Sequence, residues 1–121
     1  MTNIQRYIGL LLVSFLFSFG IKAQMTSSDL AKKLDSLSYI QIGLNNQVQL
    51  NVSNIQLADL LNSIGLENNL NISVDPSLSD LVSYNFYDAR VKDVFVFLYN
   101  NYKIKIDFVG SIIAFKKLIP P

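Results

Sequence analysis

The 121-residue chain contains no cysteine, no histidine and no tryptophan. Without cysteine no disulfide staples the fold, so any stability comes from packing. Without histidine and cysteine, the Ser-His and Cys-His nucleophile systems are excluded. The commonest zinc ligands are missing for the same reason. Five scattered glycines build no phosphate-cradling loop. Charge of either sign is sparse, with 10 basic and 9 acidic side chains. That balance leaves no basic footprint for nucleic acid. Nor does the chain contain the many amphipathic ten-residue strands that a membrane barrel requires.

The long apolar run that does occur is at the start. Met1–Arg6 is polar with one positive charge, Tyr7–Ile21 is almost wholly apolar, and Lys22-Ala23-Gln24 follows with a small residue at a cleavable position. This is the layout of a secretory signal peptide, covering residues 1–23, and the run is shorter than the ~20 apolar residues a spanning helix needs. No cysteine follows it, which argues against a lipid anchor. Removal of 1–23 takes 121 residues to 98 and, with Arg6 and Lys22 gone, leaves 8 basic against 9 acidic side chains, a net −1. A chain of that size builds one small domain with a modest core.

Residues 24–43 read as a polar start and a lead-in helix. Asp29–Leu37 sets Leu30, Leu34 and Leu37 on one helical face, with Ser28 as the expected N-cap. Tyr39–Leu44 is apolar and turns at Gly43, Asn45 and Asn46.

From Val48 the sequence repeats itself. Residues 48–61 (VQLNVSNIQLADLL) lie over residues 82–95 (VSYNFYDARVKDVF). Each half opens with period-two alternation: Val48, Leu50 and Val52 oppose Gln49, Asn51 and Ser53, and Val82, Tyr84 and Phe86 oppose Ser83, Asn85 and Tyr87. Alternation of this kind marks half-buried strands. Asn54 and Asp88 then stand where a helix would start. Beyond them the period changes: Leu57, Leu60, Leu61 and Ile64, and likewise Val91, Val94, Phe95 and Leu98, recur at i, i+3, i+4 and i+7. Each set is one apolar stripe of an amphipathic helix. A second alternating strand follows in each half, in Leu70–Asp75 and Tyr102–Asp107, and Asp75-Pro76 turns the chain between the halves. The second half adds a hairpin about Gly110-Ser111. Lys103, Lys105, Lys116 and Lys117 lie on these last strands, where charge discourages edge-to-edge aggregation.

The order predicts an α+β fold, β-α-β-β-α-β-β, preceded by the signal peptide and the lead-in helix. Pseudo-symmetry pairs strands 48–53 and 82–87 in a small sheet and groups 71–75, 103–108 and 112–116 in a three-stranded sheet, with two central helices between.

This run, VQLNVSNIQLADLLNSIGLENNLNISVDPSLSDLVSYNFYDARVKDVFVFLYNNYKIKIDFVGSIIAFKK, resembles the short N-terminal domain shared by secretins and TonB-dependent transducers. The likeness rests on the V-x-L-x-V-x-N opening with its following L-x-D-L-L, the N-I-x-V-D-P middle, the second V-x-Y-x-F strand with its helix, and the closing hairpin. It spans residues 44–117, leaving 118–121 as the start of a linker. The lead-in helix and the Lys-Ala-Gln exit look nearer to secretin-type proteins of Bacteroidetes than to transducers. The resemblance implies a non-enzymatic periplasmic module, held beneath an outer-membrane channel, that contacts inner-membrane components of a type II secretion or type IV pilus machine. In a transducer the partner would be an anti-sigma regulator. It implies protein partners, a ring-forming homo-oligomer in the full-length protein, contact with a membrane only through a barrel downstream of this sequence, and no cofactor.

Asp59, Asp75, Asp80, Asp88, Asp93 and Asp107 read as solvated surface or caps rather than a catalytic pair. Asn51-Val-Ser53 and Asn71-Ile-Ser73 match a glycosylation triplet but fall on expected strands, and carry no weight. Two surfaces are candidate partner sites. One is the outward face of the small sheet, Gln49, Asn51, Ser53, Ser83, Asn85 and Tyr87, whose strand edges can accept a partner strand. The other is the second helix, where Val96, Phe97 and Tyr99 add apolar groups off the core stripe; either the helix is buried on two sides or these residues form a contact patch.

Overall fold

The computed structural model describes residues 25–119, so the expected signal peptide at 1–23 and the end of the linker lie outside the described residues. Three helices and five strands alternate along the chain. Helix α1 (Ser27–Leu37) is followed by a 3-10 turn at Ile42–Asn45, strand β1 (Gln47–Gln56), helix α2 (Leu57–Glu67), strand β2 (Ile72–Val74), strand β3 (Leu81–Arg90), helix α3 (Val91–Asn101), and strands β4 (Ile104–Val109) and β5 (Ile112–Lys117). Strands β1 and β3 pair antiparallel as a two-stranded sheet, and the other three form a sheet in the order β2-β5-β4. The α+β architecture and both sheets match the arrangement expected from the repeat.

Helix α1 begins one turn earlier than its leucines require. Its N-cap is Thr26, not Ser28: the Thr26 hydroxyl accepts from the Asp29 N–H at 3.1 Å, and the Thr26 N–H donates to the Asp29 carboxylate at 3.4 Å. This reciprocal pair satisfies two otherwise orphaned amides. Sequence reading missed it because Thr, Ser and Ser stand in a row, and each is an acceptable cap.

Asn54 and Asp88 do not start helices. Both lie inside strands at positive φ, 52° and 50°. Three steps along β1 from Val52 to Ile55 match two along β3 from Tyr84 to Val82, so β1 carries one extra residue at Asn54. At the other end two steps from Val48 to Leu50 match three from Ala89 to Phe86, and the extra residue is on β3 near Asp88. The internal repeat thus encodes a pair of bulges related by the pseudo-two-fold. Asn and Asp tolerate the left-handed region that such a bulge needs.

Helices α2 and α3 start two residues later, at N-caps Gln56 and Arg90 that make no side-chain cap bond. Their first amides find backbone partners instead. Leu57 N–H donates to Asp80 C=O at 2.8 Å, Ala58 N–H to Leu78 C=O at 2.9 Å, and Val91 N–H to Asn46 C=O at 3.0 Å. Each strand runs straight into its helix because the neighbouring strand's ladder extends over the helix start. The end of α2 is a Schellman turn: Asn69 sits at φ 53°, Leu70 N–H bonds Gly65 C=O at 2.9 Å, and Asn69 N–H bonds Leu66 C=O at 3.4 Å.

One core cluster takes in every element. Leu57, Leu60, Leu61 and Ile64 of α2 and Val91, Val94, Phe95 and Leu98 of α3 are all buried in it, as their spacing requires. Phe95 meets Phe115 of β5 edge-on, centroids 4.9 Å apart. Leu30 and Leu34 of α1 are fully buried in the same cluster, so the lead-in helix is part of the domain rather than an appendage to it. It packs on α3, with Lys92 paired to Asp35 at 2.8 Å. Two close approaches position the layers. A Cβ on Gly43 would fall 2.0 Å from the Asn68 carbonyl oxygen, and one on Gly65 2.2 Å from Ile72 Cδ1.

Candidate functional surfaces

The polar face of the β1–β3 sheet is built by alternation. Gln49, Asn51, Ser53, Ser83, Asn85 and Tyr87 are all exposed, and Asn51 stands directly opposite Asn85. The structure therefore brings these six side chains together on one open face. One of them has internal work: the Ser83 hydroxyl accepts from Asn54 N–H at 2.9 Å, satisfying the amide that the bulge frees. Tyr87 is 77 % exposed, the most prominent apolar group on this face.

Val96 and Phe97 do not form an open patch. Both are half-buried against the core. Phe97 sits edge-on to Tyr84 at 4.9 Å and to Phe86 at 5.3 Å, beneath the small sheet. Val96 shares its helical face with Lys92 and Tyr99, and that face meets α1: Lys92 binds Asp35, and the Tyr99 hydroxyl donates to Met25 C=O. Helix α3 is thus covered on both sides, by the β1–β3 sheet and by α1. Of the two readings offered by the sequence, burial on two sides accounts for much of the apolar character of these half-buried residues.

Gln41 is buried between the two ends of the second sheet. Its amide nitrogen donates to Ser111 C=O at the hairpin, and its amide oxygen accepts from Asn71 N–H at 2.7 Å where β2 begins. One side chain thus ties the connection after α1 to β2 and to the β4–β5 turn.

One groove was not read from the sequence. A groove of about 870 Å³ follows β4, lined among others by Met25, Tyr99, Lys105, Asp107, Lys116 and Ile119. A second hollow of about 630 Å³ lies beyond Leu118, against Leu78, Leu81 and Tyr102. The lysines that line the groove were visible as a cluster, but only pairing shows that β4 is an outer strand. The Asp107 carboxylate lies 3.5 Å from Lys116 Nζ and 3.8 Å from Lys105 Nζ, so one acid serves two ammonium groups. Lys103 and Lys117 make no ion pair among the described residues. Burial raises the Tyr102 hydroxyl above its ordinary pKa, with smaller pushes from Tyr84 and Asp80. Asp75 is lowered, first by the Ser77 amide and hydroxyl and then by Lys117. Neither surface converges polar groups on a point where a bond could be made or broken. Among the described residues no group of three or more acidic side chains is placed to hold a metal ion, and no helix is long and apolar enough to cross a bilayer.

No protein-family model matches the chain, and no curated protein matches it.

Proposed function

We propose that the chain is a non-enzymatic, exported docking domain of a secretin-like outer-membrane channel, presenting its surfaces in the periplasm to inner-membrane components of a protein-secretion or pilus machine. The observation that carries the reading is the fold itself. Two strand–helix halves bury each other's apolar stripes and leave both edges of the β1–β3 sheet, and the β4 side of the second sheet, without a neighbouring strand among the described residues. Such edges are rows of unpaired N–H and C=O groups, the raw material of strand-addition recognition. The apolar run at residues 7–21 and the Ala23-Gln24 junction supply the export signal, and residues 25–119 fold as the cargo it carries.

The test is export followed by capture. The chain fused at its C-terminus to a reporter enzyme that works only outside the cytoplasm should give activity in a Gram-negative host, with Gln24 as the mature N-terminus. A reporter held inactive in the cytoplasm, with the N-terminus uncut, overturns the reading. Crosslinking through Tyr87, on the open face, should then retrieve an inner-membrane secretion component; retrieval of an anti-sigma regulator would assign the domain to a transducer instead.

A further inference from the structure

We propose that the open edge of β4 takes an extended, acidic polypeptide segment as an added strand, with Lys103, Lys105 and Lys116 reading its carboxylates. The proposal rests on the docking reading and names which edge serves it and what chemistry the partner brings.

The backbone argument comes from the hydrogen bonds of β5. Ile113 N–H donates to Asn71 C=O, and Phe115 C=O accepts from Asp75 N–H, so Ile113 and Phe115 turn their backbone groups towards β2. The alternate residues, Ala114 and Lys116, therefore turn theirs towards β4, opposite Asp107 and Lys105. Leu118 N–H on Lys103 C=O continues that series. The residues in between, Ile104, Ile106 and Phe108, point their N–H and C=O groups away from the sheet. Ile104 N–H closes back on Tyr102 C=O at 2.9 Å. Ile106 and Phe108 keep both groups directed at the edge, and Ile104 keeps its carbonyl. Five backbone groups in alternation are what a short docked strand pairs with.

The space for it is present. The groove lies along this edge, with Met25 and Tyr99 offering an apolar wall to one face of an incoming strand. Its other face would meet Lys105 and Lys116, directly opposed on β4 and β5. Here the charge is unbalanced: on this face Lys103, Lys105 and Lys116 stand against one carboxylate, Asp107, which already bridges two of them. Edge lysines ordinarily repel other strands. They repel basic and neutral edges, including a second copy of this one, because burying an ammonium group beside another strand without a partner is costly. A strand carrying carboxylates at alternate positions is the class for which the same lysines become recognition.

The experiment uses the purified chain and a labelled peptide of about seven residues, an ordinary strand length, alternating Glu and Val. Fluorescence anisotropy reads binding, and amide hydrogen exchange reads Ile106 and Phe108. The acidic peptide should bind and slow exchange at both amides. A version N-methylated at the positions facing β4 loses at least two hydrogen bonds and, at about 1 kcal/mol each, should bind about thirtyfold more weakly. A Lys-for-Glu peptide should not bind, and Lys105→Glu with Lys116→Glu should exchange the preference between the two peptides, with far-UV circular dichroism showing that the variant keeps the fold. Asp107→Asn, which removes the competing carboxylate, should tighten the acidic peptide. Equal binding of the N-methylated peptide, or unchanged exchange at Ile106 and Phe108, overturns strand addition. Equal binding of the basic peptide, or self-association of the chain displacing both, overturns the acidic partner. Failure of export in the fusion assay with peptide binding intact would sink the cellular reading alone; successful export and capture with no edge binding would sink this proposal alone.

Discussion

Truncation of Leu34 to Ala measures whether the lead-in helix belongs to the domain. Leu34 is fully buried on the face of α1 that enters the common core. The change removes three carbon atoms, worth about 2.4 kcal/mol at about 0.8 kcal/mol per buried methylene. Incomplete collapse of the cavity adds to that, and buried Leu→Ala changes as a class cost about 2 to 5 kcal/mol. We expect a loss of about 3 kcal/mol. For a domain of this size each kcal/mol lowers the melting temperature by roughly 4 to 8 °C, so the shift is roughly 12 to 24 °C. Total stabilities of small domains run from about 5 to 15 kcal/mol, so the variant still folds at room temperature. Urea titration followed by far-UV circular dichroism is the assay, with the midpoint falling and the slope m unchanged. Lys32→Ala, two residues away on the opposite, exposed face, is the control and should stay within about 0.5 kcal/mol. A loss below about 1 kcal/mol for Leu34→Ala would mean that α1 is not packed as described, and the single-core account would fail with it.

Two other changes test particular bonds. Gln41→Met keeps the volume but removes the bonds to Ser111 and Asn71; at about 1 kcal/mol each the cost is about 2 kcal/mol, and amide exchange at Asn71 should accelerate. No loss in a thermal melt would show that water replaces both. Asn69→Gly removes the penalty of a side chain at φ 53° and should stabilise by about 0.5 to 1 kcal/mol in the same urea titration; destabilisation would contradict the helix end described.

Much of the fold was legible because its signals are local. The change from period two at Val48–Val52 to period 3.6 at Leu57–Ile64, repeated at 82–86 and 91–98, marked strand, helix and buried face. Gly110 at φ 61°, the first of two residues between paired Val109 and Ile112, is the hairpin that Gly-Ser announced. What misled was also local. Asn54 and Asp88 carry side chains that favour both helix caps and left-handed bulges, and composition does not choose between them. The partner strand chooses, by continuing its ladder past the bulge to Leu57 and to Val91. The six polar residues of the β1–β3 face were legible as a surface for the reason that alternation is local. The groove along β4 was not, because an edge is defined by a strand's missing neighbour.

The amino-acid sequence alone determined the two strand–helix units, the face each one buries and the terminal hairpin, since spacing along a chain decides which side chains share a face. Only the tertiary structure decided that α1 closes over α3, that Val96 and Phe97 are half-buried against the core, and that β4 has no neighbouring strand among the described residues beyond β5. Those outcomes depend on which distant segment reaches a given backbone row or apolar stripe, and no residue's neighbours in sequence carry that information.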